Sequence, residues 1–220
     1  MANDTQRTDD WYQSRLGRVT ASRVADVVAK TRSGWGASRA TYMGQLISER
    51  LTGRQMSSYI NQAMQWGIDT EEDAVTAYEL FTDNETEPVG FVSHPTIEMS
   101  GASPDRIIGS KGLLEVKCPE TKTHIDALLG SSIDGKYIKQ VQWQLACTGR
   151  NWCDWASFDP RMPGNMQLYV ERIDRDDKMI AELEREIRVF LSELDTKLDA
   201  LTAKYGESDI LLEKLQASVA

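Results

Sequence analysis

The chain has 220 residues, enough to bury a sizeable core without disulfides or a structural metal, and the length suits one domain spanning 1–220. No apolar run nears the roughly 18 residues of a membrane span, and Met1 to Arg15 is too polar for a secretory leader, so a membrane or exported protein is not expected. The net charge of −9 argues at first against nucleic acid as a partner, and Cys118, Cys147 and Cys153, odd in number and without a CxxC pair, suit reduced thiols in the cytoplasm.

The charge is unevenly spread. Residues 11–60 carry eight basic side chains against two acids, whereas residues 61–100 carry nine acids and no Lys or Arg. A basic block beside an acidic one can hold phosphate in one place and metal in another, although a solvated helical face would look the same.

Thr20 or Ser22 is placed to cap a short helix through Lys30. Ser38 opens a second helix to about Thr52, with Tyr42, Leu46, Ile47 and Arg50 at helical spacing and Gly53 as its stop. A third covers about Asn61 to Phe81, with Met64, Ile68, Val75, Tyr78 and Phe81 on its apolar side. Short strands follow at Val89–Ser93, Met99–Ser103, Asp105–Ile108 and Gly112–Cys118, the last two joined by a hairpin turn at Gly109–Gly112. A helix over Tyr137–Cys147, strands over Trp152–Phe158 and Met166–Ile173, and a long helix over Asp176–Lys204 complete the pattern. Its stripe from Ile180 to Leu201 steps by three and four, and packing on the parent domain is the expected use. The order predicts an α/β domain with a mixed sheet flanked by helices.

The stretch that carries chemistry is Ser103-Pro104-Asp105, a turn, then Leu114-Glu115-Val116-Lys117-Cys118-Pro119. On a strand Glu115 and Lys117 share one face while Val116 points to the other, into a core. The hairpin folds Asp105 back beside Glu115. Hard divalent cations such as Mg²⁺ take carboxylate oxygens, with waters and substrate phosphate completing the shell. A neighbouring lysine can orient or deprotonate the attacking water. Lone Glu-x-Lys pairs are commonly surface salt bridges. The upstream Pro-Asp, the glycine turn and the apolar alternate face favour a catalytic reading here. His94 and His124 lack ligand spacing and suit surface or packing roles. Trp152-Cys153-Asp154-Trp155 reads as an edge of the core, not a base-stacking platform.

Pro104-Asp105 with Glu115-Val116-Lys117 resembles the PD-(D/E)xK nuclease superfamily, and its restriction-endonuclease-like α/β fold is implied. The segment Trp11 to Ser22, Trp66-Gly67 with Glu71, Ser103-Pro104-Asp105, Leu114 to Pro119, Tyr137 with Gln140-Val141-Gln142, and Asp159-Pro160-Arg161-Met162 resemble, in that order, the phage lambda exonuclease and YqaJ-type viral recombinase family. These blocks run from residue 11 to about 172.

The resemblance implies that Asp105 and Glu115 bind metal with the Val116 carbonyl, and that Lys117 activates water. It implies that Glu71 supports a second ion; Mg²⁺ would be the cofactor, two ions per site, with Mn²⁺ able to substitute. It implies that Arg15 clamps the phosphate at a recessed 5′ end, with Trp11, Ser22 and Ser103 beside it, and that Gln140 lies near the active site. Met64 takes the place of an apolar wedge that splays the terminal base pairs, although an apolar residue on a helix is more often core. The implied activity is 5′→3′ digestion of one strand of linear duplex DNA, leaving a 3′ single strand for recombination. A ring-shaped homotrimer and a single-strand annealing protein are the implied partners, with the basic N-terminal block lining the path to the site. An endonuclease of the same fold and a DNA-end binder with a decayed centre are the alternatives.

Overall fold

The computed structural model describes residues 6–32, 34–56 and 61–206. In chain order it forms α1 (Asp9–Arg15), β1 (Val19–Thr20), a 3-10 turn (Ala21–Arg23) leading into α2 (Val24–Val27), β2 (Lys30–Thr31), β3 (Gly34–Trp35), α3 (Ala37–Thr52) and α4 (Gln62–Thr82). Then come β4 (Thr86–Pro88), β5 (Val92–Ser93), β6 (Ser100–Ala102), β7 (Arg106–Ile108), β8 (Gly112–Lys117), α5 (Thr121–Leu128), α6 (Gly135–Thr148), β9 (Trp152–Phe158), β10 (Leu168–Asp174) and α7 (Asp177–Tyr205).

The main sheet has the order β10-β9-β8-β7-β4, with β8 and β9 parallel and every other pair antiparallel. Parallel neighbours need a long crossover, and α5 with α6 supplies it. A smaller sheet sets β6 between β1, its parallel partner, and β5. The mixed sheet flanked by helices is thus the α/β architecture expected.

Alternation along β8 sorts its residues between two cores. Leu114 and Val116 pack with Ala74, Val75 and Tyr78 of α4, while Leu113 joins the cluster built by α2, α3, α6 and α7. Each such side chain contributes about 1.5–3 kcal/mol when fully buried. The α7 stripe lies in this second cluster through Ile180, Leu183, Ile187, Leu191 and Leu194, so it packs on its own domain as expected. Gly112 is required at the start of β8, because a Cβ there would lie 2.3 Å from the ring of Trp152, its registered partner.

Local chemistry sets the ends of α4. The Asn61 side chain accepts from the Met64 N–H at 2.9 Å, and Asp83 closes the helix in the left-handed region at φ 57°. Tyr78 on this helix donates to buried Asp154 at 2.7 Å, and Arg172 holds the same carboxylate through two nitrogens at 2.8 and 2.9 Å. Asp154 and its neighbours Cys153 and Trp155 therefore lie inside the sheet rather than at an edge of the core. Both histidines are packing residues. His94 stacks on Trp143 at 4.7 Å, and His124 bridges Ser157 and the Met166 carbonyl at 2.8 Å each.

Three expectations need correction. The helix expected from Thr20 to Lys30 is broken into β1, the 3-10 turn, α2 and β2, because Val19 and Thr20 pair with Ser100 and Gly101. Met64 and Phe81 do not face the core; they are 48% and 72% exposed, whereas Val75 and Tyr78 are buried. The basic block does not line one path as a whole. Lys30, Arg39 and Arg50 are ion-paired with Glu186, Glu193 and Asp195 of α7, and Arg39 is buried.

Candidate active site

The β7–β8 hairpin registers Arg106 opposite Leu114 and Ile108 opposite Gly112, which sets Asp105 across from Glu115. Asp105 Oδ2 accepts from the Val116 N–H at 2.7 Å, so the carboxylate is anchored on the strand that carries Glu115 and Lys117. Glu115 is 1% exposed. It accepts from Lys117 Nζ, from Gln140 Nε2, and from Gln144 Nε2 at 2.6 Å. Gln140 and Gln144 are four apart on α6 and so share the face that meets the sheet. These donors compensate a charge that would otherwise be costly to bury.

Electrostatics couple the three groups. Burial, and then the charge of Glu115, push the Asp105 carboxyl well above its ordinary range, with Lys117 opposing. Burial pulls Lys117 down, but Glu115 and Asp105 outweigh it and hold the ammonium above its usual value. Glu71 reaches the same cleft from α4 and pairs with Arg7 Nη2 at 2.5 Å. Ser22, Met64, Val116, Lys117 and Tyr137 are among the other residues that line this cleft, whose volume is about 530 Å³.

A second cleft of about 250 Å³ opens beside it and shares Ser22 and Met64. Arg15, Arg18 and Arg23 line it. Arg15 donates from Nη1 to Ser103 Oγ at 3.0 Å and lies over the Trp11 ring at 4.1 Å; Trp11 Nε1 donates to the same hydroxyl at 3.0 Å. Among the described residues no carboxylate forms an ion pair with Arg15. Burial draws its pKa down from the ordinary arginine range.

The fold thus gathers Asp105, Val116, Lys117 and Glu71 on the wall of one cleft, with buried Glu115 bonded to Lys117 and Gln140, and sets Arg15, held by Trp11 and Ser103, on the wall of its neighbour. Ser22 and Met64 stand at the junction, both exposed. Sequence reasoning missed Gln144 and Arg7, and it quoted Tyr137 in a family block without a role at the site, where its ring lies 5.3 Å from Lys117 Nζ. The four-residue step from Gln140 was the available signal for Gln144; nothing marked Arg7.

No ready-made group of three or more metal-ligating side chains is present among the described residues. The carboxylates that a cation would use are instead bonded to Lys117, Arg7 and the Val116 N–H. Their chemistry nevertheless fits a hard divalent cation. Glu115 and Glu71 both raise the Asp105 pKa, a mutual repulsion that a cation among them would relieve.

A prediction attaches to Gln144. Replacement by Ala removes a donor from a buried carboxylate and frees Glu115 to turn away. Outer hydrogen-bond partners of this kind are worth roughly 10–100-fold in metal affinity or activity. Titration of Mn²⁺ into Gln144→Ala should show that loss, and an unchanged affinity would show that Gln140 and Lys117 suffice.

The model of the YqaJ-like viral recombinase domain matches residues 10–151, well over half of the chain and the span that holds nearly all of the site. The chain belongs to this family. Among solved structures the YqaJ-like chain is similar to an alkaline exonuclease (LHK-Exo) from Laribacter hongkongensis, at 48% identity and a TM-score of 0.84, covering 90% of this chain and 97% of that one. The same values hold for LHK-Exo in complex with dAMP. A phage-related exonuclease from Haemophilus somnus 129PT matches at 12% identity and a TM-score of 0.66, covering 84% and 96%, a likeness of fold alone. No curated protein matches the chain.

Proposed function

We propose that this YqaJ-like protein is a Mg²⁺-dependent 5′→3′ exonuclease that digests one strand of linear duplex DNA and leaves 3′ single strands for recombination by strand annealing. Family membership and 48% identity to an alkaline exonuclease make the chain a deoxyribonuclease with a role in recombination. The observation that carries the finer reading is the junction of the two clefts. A pocket lined by an arginine without an ion-paired carboxylate shares Ser22 and Met64 with the cleft of the carboxylate–lysine centre, so an enzyme holding a terminal phosphate in one would present the next phosphodiester to the other.

Each residue then has a task. Arg15 matches two oxygens of a 5′ phosphate with its fork, and Ser103 and Trp11 keep that fork in place. Ser22 adds a hydroxyl at the passage between the clefts. Met64, exposed there instead of packed in the core, would press against the terminal base pair in this reading. Asp105, Glu115 and the Val116 carbonyl would hold the Mg²⁺ ion, and Glu71 a second ion or its waters. Bound there, such ions supply an activated water and neutralise charge on the scissile phosphate. Lys117, fixed by Glu115, holds a proton donor beside that phosphate and orients the attacking water. Gln140 and Gln144 keep Glu115 in its rotamer.

Mn²⁺ is expected to substitute. A homotrimeric ring, a single-strand annealing partner and a cytoplasmic setting belong to the same reading. Light scattering should give about three times the 24.8 kDa of the chain, and a monomer would remove the ring. The deciding experiment is linear duplex DNA labelled at one end, with and without a 5′ phosphate, in Mg²⁺ and in EDTA. Mononucleotides should appear only in Mg²⁺ and from the 5′-phosphorylated strand. Internal cuts, or binding without release, would overturn the exonuclease reading.

A further inference from the structure

Two of the sequence blocks, Trp66-Gly67 and Asp159-Pro160-Arg161-Met162, have no task so far, and the fold brings them together. The Arg161 guanidinium lies over the Trp66 ring at 4.6 Å. Fully buried Asp159 fixes that guanidinium, accepting from Nε at 2.7 Å, from Nη2 at 3.0 Å and from the Arg161 backbone N–H at 3.0 Å. Nη2 also donates to the Pro119 carbonyl at 3.3 Å, tying the arginine to the segment that leaves the catalytic strand. Among the described residues Nη1 has no hydrogen-bond partner, and the side chain is 48% exposed. The buried Trp66 Nε1 also lacks an acceptor.

This pair lines a third cleft of about 510 Å³, which shares Ala63, Cys118 and Pro119 with the catalytic cleft. The three clefts run in series. The Arg15 pocket joins the catalytic cleft through Ser22 and Met64, and the catalytic cleft joins the third through Ala63, Cys118 and Pro119. A strand with its 5′ phosphate at Arg15 and its first phosphodiester at Asp105 would have the third cleft next in line for its second nucleotide.

We propose that Trp66 and Arg161 form a binding site for the nucleotide on the 3′ side of the scissile phosphate, a placement that rests on the exonuclease reading above. The chemistry suits a nucleotide of any sequence. A guanidinium held over an indole adds a cation to an aromatic surface on which a base can stack, and stacking tolerates every base because each has a π face. The free Nη1 is left for an oxygen of the same nucleotide. Because Asp159 already fixes the arginine, little side-chain entropy is lost when that nucleotide binds. A merely structural strap, pinning the Asp159 loop to α4, would need neither the open cleft nor the unspent Nη1.

The test uses the intact protein and a duplex with a 5′-phosphorylated strand carrying 5-iododeoxyuridine at its second nucleotide, irradiated in EDTA so that nothing is cut. Crosslinking should fall on the peptide that contains Trp66. The same base at the tenth nucleotide should give little there. In parallel, Trp66→Ala should weaken binding of that duplex about tenfold by fluorescence anisotropy, the size of one lost base stack. A thermal melt confirms that the variant is folded, and if it is not, the crosslink on the unaltered protein decides. Crosslinks confined to the Arg15 pocket, or equal yields at Trp66 from both positions, would overturn the site. Loss of the site with Mg²⁺-dependent release intact leaves the exonuclease reading standing; absence of release removes that reading itself.

Discussion

Asp105→Asn is expected to lower nucleotide release by about 10³-fold or more while leaving the melting temperature unchanged or slightly raised. The two halves of this expectation have separate causes. The carboxylate contributes charge for a cation, and loss of a preorganised charge-stabilising group at a phosphoryl centre costs roughly 10²–10³ in rate, more when metal binding goes with it. The fold needs only the acceptor that Asp105 presents to the Val116 N–H, and an Asn oxygen keeps it. Without metal the charge is a burden, since burial and Glu115 already push the Asp105 carboxyl well above its usual range. Removing it relieves repulsion.

Lys117→Ala should be as inactive but less stable, by about 1–3 kcal/mol, because buried Glu115 loses its only cationic donor among the described residues. Calorimetric Mn²⁺ titration and a thermal melt of both variants check the contrast. Release by Asp105→Asn within tenfold of the unaltered protein would remove the catalytic assignment.

The sequence made the hairpin legible because its signals are local. Glycines mark the turn, alternation sets the faces of β8, and the Asp105-to-Glu115 separation follows from the two together. The strand Trp152–Phe158 and the ends of α3, α4 and α7 were legible for the same reason, through Gly53, Asn61 and Asp176 as stops and caps. What was not legible depends on distant partners. β1 exists because residues 19 and 20 pair with residues 100 and 101. β4 is a short edge strand of Thr, Glu and Pro, without apolar alternation. α5 follows Pro119 with a mixed stretch in which only His124 and Ala127 are buried.

The site divides in the same way. Asp105, Glu115 and Lys117 share one hairpin and could be grouped from spacing. The partnerships of Glu115 with Gln144, of Glu71 with Arg7 and of Arg15 with Ser103 join residues dozens of positions apart, and only the last was reached, through the family resemblance. The basic block misled because charge along the chain says nothing of which acids of α7 will neutralise it.

Arg15→Ala carries the second large expectation: a loss of roughly 10–150-fold on ends bearing a 5′ phosphate, with little change on 5′-hydroxyl ends. Hydrogen bonds to a charged group contribute about 1.5–3 kcal/mol, which sets that range. The fold should tolerate the change. Arg15 bonds a neutral serine and lies over an indole, and buried Glu49, whose charge it feels, keeps the Gly17 N–H and Gln45 as donors when Arg15 is removed. Burial counts in the other direction. An arginine drawn partly out of water keeps its charge but loses hydration, so a phosphate arriving there gains more than it would at an exposed side chain. Arg15→Lys separates charge from shape, since it keeps the cation and loses the fork, and it should fall between the two. Single-turnover release from matched duplexes differing only at the 5′ group measures the effect. Equal losses on both ends would mean that Arg15 supports the Trp11–Ser103 wall without reading the terminus, and the exonuclease reading would then need another receptor for the end.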